Sequence, residues 1–173
     1  LLLSKSGDFL MSKANKLSRV VGTMNKLPDG MRVWALSTVI GRVVRFAGTA
    51  GTRVEKLTPN ECVIVMRNKK KVQNHIGSVH AAAMALMAES ATGFITGLSV
   101  PDSRILVIKT LELEYLRRAT GDMKAVANFS DEQVAYIKNT EKGDVEVPIV
   151  ITDSTGQETT KARMVWAWTP KKK

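Results

Sequence analysis

One cysteine in 173 residues sets the first limits. Cys62 has no partner, which excludes an internal disulfide and any cysteine-based metal cluster and fits a reducing, cytoplasmic compartment. The two histidines, His75 and His80, are too few for a zinc site, so neither a metal nor a resident cofactor is expected. Acidic residues are scarce in one half only. Residues 1–80 carry 14 Lys/Arg against 4 Asp/Glu, whereas residues 81–173 carry 12 against 12, so the net charge of +10 belongs to the N-terminal half. That half attracts a polyanion, whether nucleic acid, anionic lipid or the phosphates of a nucleotide cofactor. No nucleic-acid-binding motif accompanies the charge, and nothing marks Trp34, Trp166 or Trp168 as base-stacking groups, so no nucleic-acid partner is expected. Internal repeats and low-complexity linkers are also missing. The opening Leu1-Leu2-Leu3 lacks a methionine; Met11 is one option for a native start, and the apolar opening is too short for a signal peptide.

Charge is rarest between Ala81 and Pro101, where Glu89 is the one charged side chain. Ala, Met and Leu there are good helix formers, and the spacing predicts a helix from Val79 to about Leu98 with Ser78 as its N-cap. A helix apolar on nearly every face either spans a membrane or is wrapped by protein. Its many small and hydroxylated residues, with a carboxylate midway, favour wrapping by a sheet. A lone buried carboxylate then needs a reason, because unpaired charge is costly to bury.

Before this segment, residues 9–27 and 31–47 show apolar positions three or four apart with Lys and Arg between them, which predicts two amphipathic helices broken at Leu27-Pro28-Asp29-Gly30. Their basic faces are expected to be solvated; contact with a membrane surface is the alternative, and no motif supports it. Residues 52–57 and 61–67 read as a hairpin around Thr58-Pro59-Asn60. After the central helix come strands over 104–118, 123–130, 145–152 and 159–169, with a loop or short helix over 131–140 capped by Ser130 or Asp131. On the first of these strands Ile105, Val107, Leu111, Leu113 and Tyr115 are expected to share a face. Consecutive hairpin links imply an antiparallel sheet of about six strands curled around one helix, an α+β architecture. Residues 1–48 are expected to form a helical segment packing on a domain spanning 49–173.

The set Asn74-x-x-Gly77-x-x-His80, followed nine residues later by Glu89, resembles the signature of hotdog-fold acyl-CoA thioesterases. The longer string, with Ser78-Val79-His80-Ala81 and then Glu114-Tyr115-x-Arg117-Arg118-Ala119-x-Gly121, is similar to an uncharacterised thioesterase-like subgroup of that superfamily. One departure is Ala81-Ala82, where phenylacetate-pathway thioesterases have Gly-Gly. The resemblance implies hydrolysis of an acyl-CoA to free acid and coenzyme A, with coenzyme A entering as part of the substrate.

The residues themselves suit that chemistry. A helix N-terminus offers free N–H groups and a positive dipole end for a developing oxyanion, with the Ala81 N–H as the candidate donor. Asn74 can orient water or hold the thioester. Glu89, in an apolar setting, is expected to serve as general base or nucleophile. His80 is the fourth catalytic candidate, although a capping role suits it as well. Gly77, Ser78, Ala82 and Gly93 are expected to line the substrate. Arg117 and Arg118, or the run Lys69-Lys70-Lys71, are expected to reach the phosphates. Ala81 and Glu89 lie eight residues apart, about 12 Å along one helix, so a shared carbonyl needs Glu89 from a second copy. A homodimer or dimer of dimers is therefore expected. The rival readings are a non-catalytic acyl- or lipid-binding module and a hotdog dehydratase.

Overall fold

Twelve side chains of one helix, α4 (Ala81–Ser99), are buried, and the rest of the chain is arranged to bury them. The computed structural model describes residues 15–172. In chain order these form α1 (Lys16–Met24), α2 (Asp29–Val43), α3 (Arg45–Ala50), β1 (Arg53–Leu57), β2 (Glu61–Met66), α4, β3 (Arg104–Tyr115), β4 (Met123–Asn128), α5 (Asp131–Asn139), β5 (Gly143–Glu146), β6 (Ile149–Asp153) and β7 (Glu158–Pro170). The strands make one antiparallel sheet in the order β1-β2-β4-β6-β7-β3, with β5 pairing separately on β7. The sheet curls around α4, which is the hotdog arrangement that the motif implied.

The core pattern is simple. From Met84 onward every residue of α4 is buried except Ala85, Glu89, Gly93 and Gly97, which follow one another at the four-residue spacing of a single helix face. At one of the four, Gly93, the chain closes too tightly for a side chain, while at Gly97 the covering contact is an ordinary one. A Cβ on Gly93 would lie 2.7 Å from the Trp166 ring, and one on Gly97 would lie 3.4 Å from Leu17 of α1. The Trp166 Nε1–H donates to Thr92 Oγ1 at 2.9 Å, and that hydroxyl donates in turn to the Ala88 carbonyl at 2.7 Å. At the far end, the Asn15 amide donates to the Gly97 and Val100 carbonyls at 2.7 and 2.6 Å, while its oxygen caps α1 through Ser18. One side chain thus satisfies carbonyls left open by α4 and fixes α1 beside it.

Several expectations shift. The sheet has seven strands rather than about six, because 145–152 is two strands. Pro148 lacks an N–H and separates β5 from β6, and β7 pairs with both. The first basic helix starts at Lys16; the part of that reading at residues 9–14 lies outside the described residues, as do Met11 and the opening leucines. The second basic helix is two. It stops at Val44, whose backbone leaves the helical region (φ −106°, ψ 84°), and α3 folds back so that Gly48 meets Gly41, where a Cβ would lie within 2.4 Å of the Gly41 carbonyl oxygen. The link from β3 to β4 is not a hairpin, since β3 pairs with β7 at the sheet's edge and β4 lies between β2 and β6. A bulge between Ile108 and Thr110 reverses the alternation along β3. Leu106 and Leu113, of opposite parity, both pack on the core, while Ile105 and Val107 face out, so the expected single apolar face is split. The short segment after β4 is a helix, and Ser130 with Gln133 forms its capping box.

Gly93→Ala is expected to destabilise the fold. The gain in helix propensity, about 1 kcal/mol, is outweighed by overpacking against Trp166, which costs about 1–3 kcal/mol and forces the indole off its Thr92 hydrogen bond. Urea unfolding of the two proteins measures the net loss, and a midpoint equal to wild type would show that the α4–β7 contact has slack.

Candidate functional site

Residues 67–80 carry the chain from β2 to the start of α4, and short-range hydrogen bonds hold them. A single 3-10 turn, Lys70–Val72, is followed by an isolated bridge between Gln73 and Val79. Between those two residues Asn74 forms the turn. Its Oδ1 accepts from the Ile76 and Ser78 N–H groups, both at 3.1 Å, and its N–H donates to the Ser78 carbonyl at 2.9 Å. Gly77 sits at φ +75°, the left-handed conformation this turn needs and only glycine adopts cheaply. Asn74 therefore spends its oxygen on the loop, which leaves its amide N–H groups for any ligand.

The helix begins two residues later than expected. His80, not Ser78, is the N-cap, and its Nδ1 accepts from the Ala82 N–H at 3.0 Å. The imidazole is committed to the cap, in the role that the sequence allowed beside the catalytic one. Ser78 is buried, and its hydroxyl accepts instead from Arg118 Nε at 2.9 Å. Arg118 also donates to the Ile76 carbonyl at 2.7 Å, so this guanidinium braces the Asn74–His80 loop. Arg117 is held at 2.7 Å by Asp153 and at 2.9 Å by the Thr155 hydroxyl. Both arginines thus use donors on the protein that had been expected to meet phosphate.

With the Ala82 N–H taken, the Ala81 N–H finds no acceptor among the described residues and opens at the exposed head of α4, at the positive end of its dipole. Tyr115, at the end of β3, donates its hydroxyl to the Ala81 carbonyl at 2.9 Å and so fixes the next peptide, Ala81–Ala82, from the sheet side. Burial raises the Tyr115 pKa, which keeps the phenol protonated as a donor. Ala82 and His80 line a cavity of about 270 Å³ with Phe46, Lys71, Val72 and Leu86. It is an apolar slot between α3 and the first turn of α4. Sequence reading missed Phe46 and Leu86 as lining residues. Phe46 carried no signal, because only the α2–α3 fold-back brings it to α4.

Glu89 lies two turns further along α4. It is half-exposed rather than buried, and its carboxylate has no hydrogen bond or ion pair among the described residues. The buried carboxylate that the sequence suggested lies instead on the least buried face of α4, with Ala85, Gly93 and Gly97. Within one protomer Glu89 and the Ala81 N–H remain about two turns, or 12 Å, apart. Gly93 lies beneath Trp166, in helix–sheet packing. Next to the apolar slot is a second, basic cavity of about 230 Å³ lined by Arg53, Arg67, Lys69 and Lys71 at the Gly51 turn. Lys71 borders both cavities and donates to the Thr49 carbonyl at 2.8 Å.

The turn that carries Arg118 is anchored by one carboxylate. Asp153 is fully buried, and burial alone pushes its pKa up. Hydrogen bonds from the Thr155 hydroxyl and from the Thr120 and Thr155 N–H groups, with the Arg117 guanidinium, outweigh this and hold it at about 2. A lowered folded-state pKa stabilises the fold above the unfolded value near 3.8, and that contribution is lost as pH falls through about 2. Asp153→Asn is expected to cost about 1–3 kcal/mol at neutral pH and to flatten the pH dependence of stability between about pH 4 and pH 2. Thermal unfolding across that range checks it; an unchanged acid limb would remove Asp153 as the anchor.

Residues 32–168 match the family described as Domain of unknown function (DUF4442). No curated protein matches the chain. Among solved structures it is similar to a protein solved as a genomics target, APC5556, at 24% identity, TM-score 0.70, covering 90% of this chain and 99% of that one. It is similar to a protein of unknown function from Pseudomonas aeruginosa, described as a probable thioesterase, at 22% identity, TM-score 0.70, covering 84% and 97%. A thioesterase from Haemophilus influenzae aligns at 13% identity, TM-score 0.65, covering 80% and 90%. At these identities the likeness is one of fold.

Proposed function

This chain belongs to the DUF4442 family, and from that premise we propose that it hydrolyses acyl-CoA thioesters at a site shared between two copies of the chain. The observation that carries the reading is the head of α4. There a free Ala81 N–H, backed by a helix dipole, opens beside an apolar slot, and Tyr115 holds the following peptide through the Ala81 carbonyl. That arrangement suits a thioester carbonyl whose oxygen gains charge while its acyl chain stays out of water. The description of two fold relatives as thioesterases supports the same reading.

In this mechanism the thioester oxygen points at the Ala81 N–H and the acyl chain enters the slot past Ala82 and Leu86. Asn74 offers its amide N–H groups to the carbonyl or the attacking water. Glu89 of a second copy takes a proton from that water as its oxygen bonds to the carbonyl carbon. The C–S bond of the tetrahedral intermediate then breaks, and the proton goes to the departing thiolate. The need for a second copy follows from the 12 Å between the two groups on one helix. The strand order supports such a pairing, because β3 ends the sheet and nothing among the described residues pairs its outer edge. It is twelve residues long and exposes Ile105, Val107, Leu111 and Tyr115 to 41–47%, an edge that soluble proteins rarely leave open. Joining two such edges antiparallel about a two-fold axis continues the sheet and sets the α4 helices side by side.

Glu89→Gln keeps the size of the side chain and removes its basicity, so kcat is expected to fall by ~10²–10⁴ while the fold is kept. The reading is tested by release of free thiol over a panel of acyl-CoAs. Mixing this variant with Asn74→Ala is expected to restore part of the activity, since one composite site in a mixed dimer is intact. Wild-type turnover by Glu89→Gln, or exchange of subunits without recovery, would sink the assignment.

The basic cavity beside the slot is the proposed seat of the coenzyme A phosphates, in place of Arg117 and Arg118. Arg67→Gln with Lys69→Gln is expected to raise KM for acyl-CoA about tenfold with kcat nearly unchanged. The same pair should leave KM for an acyl-pantetheine thioester, which lacks the nucleotide, where it was. Equal effects on both substrates would assign these side chains to the loop rather than the ligand.

A further inference from the structure

The α2–α3 corner is exposed, apolar and cationic at once. Trp34 and Val43 are each 71% exposed, Phe46 64% and Met31 59%, and Val44 lies at the break between the helices. Single exposed apolar side chains are ordinary, but several grouped on one corner mark a contact surface, and here they fall within sixteen residues. From Lys16 to Arg53 there are seven Lys/Arg and one acidic residue, Asp29, which is paired with Arg32 at 2.9 Å. Arg42 and Arg45 flank Val43 and Val44, are exposed, and have no acidic partner among the described residues. The corner is held in shape. Leu36 and Ile40 bury the inner side of α2, Gly41 and Gly48 lock α3 against it, and the Ser37 hydroxyl accepts from the Val54 N–H at 3.0 Å. The apolar side chains are thus presented by a fixed scaffold.

From this we infer that the α2–α3 corner docks the protein on an anionic membrane surface, with Trp34, Val43 and Phe46 entering the interface and Arg42 and Arg45 meeting lipid phosphates. Two properties choose this occupant. A second copy of the chain would set this cationic face against another of the same sign, which repels. Anionic lipid complements both the charge and the apolar groups, and an aromatic side chain flanked by arginines is the composition that favours the headgroup layer. Phe46 also lines the slot at the head of α4, so the docked face borders the entrance to that cavity. The proposal stands on surface composition and does not require the protein to be a thioesterase.

The test uses the full chain with phosphatidylcholine vesicles, with and without phosphatidylglycerol, in co-sedimentation and in tryptophan fluorescence. Trp166 and Trp168 are buried, so an emission change on binding reports Trp34. Binding to the phosphatidylglycerol vesicles is expected, with a blue shift that Trp34→Phe abolishes, and with little binding to phosphatidylcholine alone. Arg42→Gln with Arg45→Gln is expected to weaken it by more than about tenfold, from roughly fivefold per cation near an anionic surface. Trp34→Gln with Val43→Gln, both at exposed positions that leave the fold intact by circular dichroism, should weaken it at least as much. The proposal is overturned if the wild type ignores anionic vesicles, or if both double variants bind as tightly as wild type. It is also overturned if Trp34 emission is already blue-shifted without vesicles and reddens when Val43→Gln, which keeps the indole, dissociates an oligomer; the corner would then be a contact between copies.

Discussion

The indole of Trp166 can rest on α4 only because residue 93 has no side chain, and much of the structure depends on that approach. It brings β7 against the central helix, and β7 pairs with β3, β5 and β6, so three other strands take their distance from α4 through this one contact. Burying an indole in that position would strand its N–H; Thr92 removes the cost by accepting from it while its own hydroxyl donates to the Ala88 carbonyl. The apolar character of α4 makes wrapping obligatory, and the glycine and threonine decide how closely the wrap can fit.

The head of α4 is left open for a complementary reason. Wrapping satisfies the helix along its length, and Asn15 satisfies carbonyls at its C-terminal end, but the first turn emerges where the sheet stops. His80 takes one of the free N–H groups and Ala81 keeps another. Around it the loop is stiffened by a turn on Asn74, by the Arg118 brace and by a buried carboxylate, Asp153, that anchors the strand crossover carrying Arg118. Residues that a motif groups together therefore divide the work. Ala81 and Asn74 present donors, whereas Ser78, His80, Arg117 and Arg118 hold the backbone that presents them.

The N-terminal half adds the charge. Lys71 borders both the apolar slot and the basic cavity, so an apolar chain and an anionic group can lie end to end with a lysine between them. Of the cations in that half, Arg53, Arg67, Lys69 and Lys71 line the basic cavity, while Arg42 and Arg45 are exposed at the α2–α3 corner.

How much of this could be read from sequence follows from the range of the forces involved. The wrapped helix was legible because Ala81–Ser99 holds one charged residue, and no exposed helix tolerates such a run. Most strand limits were legible within a few residues, and so was the Ser130 cap, because alternation and capping act over short distances in the chain. The motif placed Asn74, Gly77, His80 and Ala81 around one helix start. Tertiary structure alone decided the rest. The bulge at Lys109 changes the face of half of β3, and Pro148 splits a strand in response to pairing with β7. Gly41 against Gly48 folds one helix into two and carries Phe46 to the slot. The arginines turn inward because Asp153 and Ser78 happen to face them. Each of these rests on contacts between residues far apart in the chain, whose energies no local pattern records. Local composition determined which segments had to be buried; only the packed chain decided which side chains were left free to do chemistry.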